Sequence, residues 1–384
     1  MPTADGNSPW SGGREAGEGV NLRIGYYLHW LDGPESGVFK KVTLQAAAWQ
    51  SAGCEVRIFL LTKPGPWWNA GDRTVSGTPI ASRTYSSVAG RVSAGLRLIG
   101  DIGQWEPDVV YWRNPRYLPG CESVLRRVPV VVEINSDDVA EARLRGLLPF
   151  AHAVATRGRL LSRTSGLVCV THELARRSGI ARFEKPLCVI PNGLPLEQFE
   201  TLPPVVHSRP RLAFLGSPKQ VWHGVDRLLE WADRDRDIEF DIIGYGSNDL
   251  PEGSVVSPNV RLLGILERHQ YSSVLAGCDA AVGTLALERK GLSEASPLKV
   301  REYLASGLPA IIGYVDSDFR EEVPFLLRID GSSIASERSR ISRFLEAWKG
   351  RRVPQRDVAR IDAFAKEALR LRFLSDVRAR WCVR

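Results

Sequence analysis

Two glutamates eight positions apart, Glu294 and Glu302, flank the stretch Ala295-Ser296-Pro297-Leu298-Lys299. An ionised carboxylate only accepts hydrogen bonds, so vicinal hydroxyls are its natural partners. Ser296 followed by Pro297 is a helix-start signal, with Ser as N-cap and Pro in the first helical position. Gly307 is the matching stop. A helix start offers unpaired N–H groups and the positive end of the helix dipole, and both favour an anion. Lys299 falls in that first turn, where a cation opposes the dipole by roughly 0.3–1 kcal/mol. An anion docked there makes sense of the lysine. Along a helix, Glu302 lies roughly 9 Å from the cap. Hydroxyls at both ends and a diphosphate between them fit this spacing, and a nucleotide-diphosphate sugar has that layout. The alternative is a pair of solvated glutamates and a lysine turned to water.

These residues need a scaffold, and the hydropathy pattern supplies one. Short apolar, β-branched runs alternate with helical periods, the pattern of parallel α/β architecture. Strands are predicted at 21–28, 55–62, 107–112, 128–135, 165–171 and 185–192, with a helix over 38–53. The pattern restarts at 211–216 and continues through 238–244, 259–264, 278–284 and 308–313. A polar, Pro-rich linker separates the two halves at 195–210, and 332–384 reads as helices. The domains expected are 21–200 and 201–365, after a disordered tail over 1–20 and before a C-terminal helix (366–384) that packs back on the first domain. Ligands of such folds bind outside the carboxyl ends of the strands, and a two-domain chain places its site in the cleft.

SEASPLKVREYLASGLPAI with its Glu-x₇-Glu spacing resembles the donor-binding signature of retaining glycosyltransferases of the GT-B fold, family four. VIPNGLPLEQF (189–199), FLGSPKQVWHGVDRLLEW (214–231), FDIIGYGS (240–247) and NVRLLGILERHQYSSVLAGCDAAV follow the family in order. The resemblance implies two Rossmann-like domains facing across a cleft, the first binding an acceptor and the second a nucleotide sugar. It also implies hexose transfer to a hydroxyl with retention of configuration, no metal, and no cofactor besides the sugar nucleotide. Glu302 would hold the ribose and Glu294 the transferred hexose. The backbone from Ala295 through Ser296 and Pro297 to Leu298 would face sugar and phosphates. Gly216, Ser217, Lys219 and His223 would line the diphosphate. Gly264 and Ile265 would lie near the base, with Gly244 also on the donor side. Gly37 would approach the donor from across the cleft. Glu294, Lys219 and His223 are the catalytic candidates. The family's Arg after the first glycine is Ser217 here, its Lys before the helix glycine is His223, and its first-domain His is Asn135. An Asn orients a hydroxyl but takes no proton at neutral pH.

The acceptor-side candidates are His29, Arg113 and Asn135. Arg113 and Arg116 follow a strand and could meet a phosphate, or else stack on Trp112 and Tyr117. Trp67 and Trp68 offer a sugar-stacking surface or form a local plug. Residues 141–166 carry five arginines among Leu and Phe. That segment reads as a packing helix or as one lying on an anionic membrane. GYG at 244–246 lacks the third glycine of a dinucleotide fingerprint, because position 249 is Asp.

The net charge is +7, with 42 arginines against 9 lysines, and the excess lies before residue 195. A basic half suits an anionic partner or is a solvated face. No recognised motif accompanies the charge, so nucleic acid is not expected. None of the six cysteines forms a CxxC pair, and reduced core thiols are expected. No apolar run reaches the roughly 20 residues of a membrane span. The N-terminus lacks a signal-peptide pattern. The expected location is cytoplasmic, on the inner membrane face if the acceptor is membrane-borne. Two other readings stay open, a non-catalytic nucleotide-sugar-binding subunit and a nucleotide-sugar epimerase of the same fold.

Overall fold

A computed structural model describes residues 21–383 apart from 69, 70, 115 and 145, so the tail expected over 1–20 lies outside the described residues. The first half runs β1 (Arg23–His29), α1 (Gly37–Ser51), β2 (Glu55–Thr62), β3 (Gly71–Val75), β4 (Thr78–Thr84), α2 (Val88–Trp105), β5 (Val109–Arg113) and α3 (Glu122–Leu125). It continues through β6 (Val130–Ile134), α4 (Asp138–Leu144), α5 (Leu147–Arg163), β7 (Gly166–Cys169), α6 (His172–Arg176), α7 (Ser178–Ala181) and β8 (Leu187–Val189). The strands form one sheet in the order β3-β4-β2-β1-β5-β6-β7-β8, parallel except for β3. The inner strands β5 and β6 are buried along their whole length, and apolar but for Arg113 and Glu133, because helices cover both faces.

The second half holds β9 (Arg211–Leu215), α8 (Val225–Arg234), β10 (Glu239–Ile243), β11 (Val260–Leu262), α9 (Arg268–Ala276), β12 (Ala280–Val282), β13 (Glu294–Ala295) and α10 (Leu298–Ala305). After them come β14 (Ala310–Ile312), β15 (Val315–Asp316), β16 (Leu326–Arg328), α11 (Arg338–Trp348) and α12 (Ala363–Cys382). Its sheet is parallel, in the order β11-β10-β9-β12-β14-β16, and β13 and β15 form a separate pair. In each sheet the strand order reverses beside the first strand, β1 or β9, which opens a crevice at the carboxyl ends.

The β3–β4 hairpin was not expected. β3 is an exposed, polar edge strand with no apolar alternation. Its turn, Ser76-Gly77, has φ of 49° and 77°, the left-handed geometry of a tight hairpin.

The last helix returns to the first domain. Leu371, Leu374 and Val377 of α12 are buried with Tyr26 and Trp49. Glu367 accepts hydrogen bonds from Trp49 Nε1 (2.9 Å) and Gln45 Nε2 (3.3 Å). Beneath this contact Glu133 is fully buried between Lys41 Nζ (2.9 Å) and Arg113 Nη1 (2.6 Å), with Arg370 at 3.8 Å. Burial alone would raise the Glu133 carboxyl, but the three cations outweigh it and hold it well below the usual range. All six cysteines are free thiols.

Candidate functional site

The carboxyl ends of β9, β10 and β11 meet backbone to backbone. Gly244 has φ of 92°, and a Cβ there would lie 2.1 Å from the Gly216 carbonyl oxygen. A Cβ on Gly216 would lie 2.4 Å from Tyr245 Cε2. Gly244 N donates to Gly264 O at 2.6 Å, and Tyr245 Oη donates to Ser217 O at 2.7 Å. Only glycine permits this approach, and it brings Gly216, Ser217, Gly244 and Gly264 together. Beside them Ile265 is 86% exposed.

The positive charge collects at the same place. Lys299 Nζ donates to Leu215 O at 2.9 Å and sits 4.5 Å from the centre of the Phe214 ring. Burial pulls this lysine down to about 7, and no carboxylate opposes the shift. His223 Nδ1 accepts from Ser217 N at 3.3 Å, which leaves Nε2 as the N–H donor. Burial, then Lys299 and Lys290, push His223 down to about 3, so the ring is neutral. Lys219 is exposed, with φ of 65°, and makes no ion pair or hydrogen bond among the described residues.

α10 begins at Leu298 with Pro297 as its cap, one residue later than predicted. Ser296 does not cap it. Its hydroxyl accepts from Asn192 N (2.9 Å) and from Arg301 Nη2 (2.9 Å), whose guanidinium is fully buried against Asp316. The N–H groups of Leu298 and Lys299 are left without helical acceptors, as at any helix start. Glu302 stands further along, accepting from Tyr271 Oη at 2.9 Å, with Arg268 Nε at 3.9 Å. Burial raises its carboxyl, against the pull of Tyr271, Arg268 and Lys40. Lys40 belongs to α1, and a Cβ on Gly37 would lie 4.0 Å from Leu298 Cδ1, so α1 faces the start of α10.

Glu294 occupies a different position from the one expected of a free hexose ligand. It is 5% exposed, and its two oxygens accept from His172 N (3.0 Å) and Glu173 N (2.8 Å) at the start of α6. In return Glu173 accepts from Ser293 N (2.8 Å), Ser293 Oγ (3.1 Å) and Glu294 N (2.8 Å). Each domain thus lends a carboxylate to the other's backbone. Each Glu294 oxygen keeps a lone pair for a further donor. Ala295 continues this contact by pairing with Asp316 in the β13–β15 ladder.

Residues 36–198 match the model of Glycosyltransferase Family 4. The match spans most of the first domain. No curated protein matches the sequence. Among solved structures, the sucrose-phosphate synthase of Thermosynechococcus elongatus is similar at a TM-score of 0.63 and 13% identity, over 94% of this chain and 97% of that one. HepE of Anabaena, in complex with UDP and glucose, gives 0.63 and 14% over 93% and 100%. The lipopolysaccharide outer core galactosyltransferase WaaB, in its apo form, gives 0.63 and 12% over 92% and 98%. At these identities the likeness is one of fold, and the fold is GT-B.

Within the first domain the acceptor-side candidates part company. Arg113 is 6% exposed and locked onto Glu133, so it cannot reach an acceptor's phosphate. Asn135 accepts from Lys41 Nζ (3.3 Å) and donates to Glu133 (3.0 Å), which ties it to the same buried network. His29 remains at the carboxyl end of β1, with Nε2 2.7 Å from Tyr85 Oη. Trp68 is a buried plug bonded to Asp32 O, whereas Trp67 is 52% exposed. Tyr271, Asn192, His172 and Glu173 were not singled out in the sequence. Their roles depend on partners tens to more than a hundred residues away.

The glycine loops are directly testable. Gly244→Ala must strain both φ and a backbone contact, and is expected to cost about 3 kcal/mol or more. Gly264→Ala, at φ of 63° with nothing within 4 Å, should cost about 1 kcal/mol. Urea unfolding of the two variants measures the difference, and equal losses would contradict the packing described.

Proposed function

We propose that the chain transfers a hexose from a nucleotide-diphosphate sugar to an acceptor hydroxyl. The carrying observation is Lys299, a half-buried cation at a helix start with no carboxylate partner, set beside neutral His223 and the Gly216 loop with Glu302 further along α10. A diphosphate on this start would gain the helix dipole, the Lys299 charge and a donor from His223 Nε2. Lys219 can reach it from the exposed loop. Glu302 would accept from the ribose hydroxyls, and Ile265 would cover the base. Glu294, through its spare lone pairs, would orient the hexose while holding the domains together.

In the reaction the bond between the anomeric carbon and the phosphate oxygen breaks as the acceptor oxygen bonds to that carbon. Cations already in place meet the charge developing on the departing diphosphate. Retention and metal independence follow the family resemblance. In that reading the acceptor proton passes to the departing phosphate on the front face, and no carboxylate nucleophile is needed. Glu294 suits this, since α6 N–H groups hold its oxygens.

A peripheral membrane location for the acceptor draws support from α5. Leu147, Leu148 (both 84% exposed), Ala151, Val154 (58%) and Ala155 form a solvent-facing apolar stripe, with Arg143, Arg159 and Arg163 exposed nearby. No helix among the described residues is long and apolar enough to cross a membrane.

A panel of sugar nucleotides, read as nucleoside diphosphate released, tests the main proposal. Acceptor-dependent release is expected. Sugar isomerisation without release would indicate an epimerase, and saturable binding with neither outcome a silent subunit. Glu302→Ala should weaken nucleoside diphosphate binding about tenfold, or about 1.4 kcal/mol. For the membrane, phosphatidylglycerol vesicles should sediment the protein at low salt and release it in about 1 M salt, where charges are screened beyond about 3 Å. A protein that stays in the supernatant at both salts removes the membrane from this reading.

A further inference from the structure

The run 290–294 of the second domain is docked on the first domain almost residue by residue. Lys290 Nζ pairs with Glu141 of α4 at 2.7 Å, and Arg177 Nη2 donates to Gly291 O. Ser293 N and Glu294 N donate to Glu173, and Glu294 accepts from the first N–H groups of α6. The Lys290–Glu141 pair is well covered, with 12% and 25% of the two side chains exposed. A covered pair is screened by salt less than an exposed one. α4 gives it a fixed base, because Arg157 Nε donates to both oxygens of Asp138 (2.9 and 2.8 Å) and Arg157 Nη1 to Gly179 O (2.6 Å).

The same lysine reaches the diphosphate side. Lys290 Nζ lies 4.4 Å from the centre of the Trp222 ring, within the range of a cation–π contact. Trp222 precedes His223, and their ring centres are 6.2 Å apart. Backbone bonds fasten this turn to the chain that leads to Lys290: Leu285 N donates to His223 O (3.1 Å) and Ala286 N to Trp222 O (3.2 Å). Arg289 Nη1 adds Val221 O at 2.9 Å, and its guanidinium holds Asp226 at 2.9 and 2.6 Å. The turns Val221–His223 and Leu287–Lys290 thus form one unit. A single ammonium joins that unit to an acid of the other domain.

We propose that Lys290 is a positioning residue that makes the diphosphate site depend on domain closure: held between Glu141 and Trp222, it steadies the Trp222–His223 turn against the donor only while the first domain is in place. The inference rests on the transferase reading and adds a control to that same site. Lys290 touches none of the reacting atoms. With the domains together, Glu141 fixes the ammonium over the indole, and His223 Nε2 stays directed at the phosphates. With the domains apart, the ammonium returns to water and the turn loses that restraint. Tight donor binding and the exclusion of water then come in one step.

Calorimetry with UDP, GDP and ADP on the full chain tests this, comparing the wild type with Lys290→Met, Glu141→Gln and the double variant. Methionine keeps an apolar stem against Trp222 and removes the charge. Each single variant should bind the wild type's tightest nucleoside diphosphate about fivefold more weakly. The double variant should be no weaker than the weaker single, because both break one contact. Lys290→Arg keeps the charge and stacks on an indole, so it should recover to within about twofold of the wild type. Thermal midpoints without ligand should stay within about 2 °C of one another. Single variants that bind as the wild type does, or losses that multiply in the double variant, overturn the inference and leave the donor reading intact. Weaker binding accompanied by a comparable fall in ligand-free stability makes the contact one of packing alone and overturns it as well. A wild type that binds none of the three diphosphates overturns the donor reading, and the inference with it.

Discussion

Two carboxylates exchanged across the cleft set the relation between the domains. The first N–H groups of α6 have no acceptor within their own helix, and Glu294 of the other domain supplies one. Glu173 does the same for the backbone at Ser293 and Glu294. Charge-assisted bonds of this kind contribute about 1.5–3 kcal/mol each when the partners are desolvated. Because Glu294 leads directly into α10, the same contact that closes the domains also aims the helix start at α1. Asn192 extends this logic by donating to both Ser296 Oγ and Ser296 O from the connection between the domains.

The charges of the molecule fall into two kinds. In the first domain Lys41, Arg113 and Arg370 surround Glu133, and each cation is accounted for by a buried acid. Those groups keep the sheet and α12 in register and have no charge to spare. At the cleft, Lys299 has a carbonyl and an aromatic face but no acid, and burial lowers its pKa. Desolvation disfavours even a half-buried cation that has no acid beside it. A ligand anion completes that site in the way Glu133 completes the other.

Much of this was legible in the sequence. Apolar strands read as a two-sided sheet, and the family resemblance pointed to Gly216 and Gly244, where the structure brings the backbones together. Lys299 was conspicuous because it sits against a helix dipole. Other features were hidden because their cause lies far along the chain. Ser296 has the residue type of a cap, yet Arg301 and Asn192 claim its hydroxyl. Arg113 looked like a surface guanidinium at a strand end, but Glu133 on the neighbouring strand draws it inward. The β3–β4 hairpin gave no signal because an exposed edge strand needs no apolar alternation. Glu294 was visible as a candidate hexose ligand, while its N–H partners, more than a hundred residues away, were not.

The central claim is that a diphosphate settles on the start of α10 against Lys299, and the charge of that lysine reports it. With its pKa near 7 in the free protein, Lys299 is mostly neutral at pH 8.5 and mostly charged at pH 6. An anion favours the charged form. Calorimetric titration with the tightest-binding nucleoside diphosphate, in buffers of different ionisation enthalpy, should show uptake approaching one proton at pH 8.5. Uptake should fall away toward pH 6 and be absent in Lys299→Met. Binding with no proton uptake at pH 8.5, and of unchanged strength in that variant, would contradict the account.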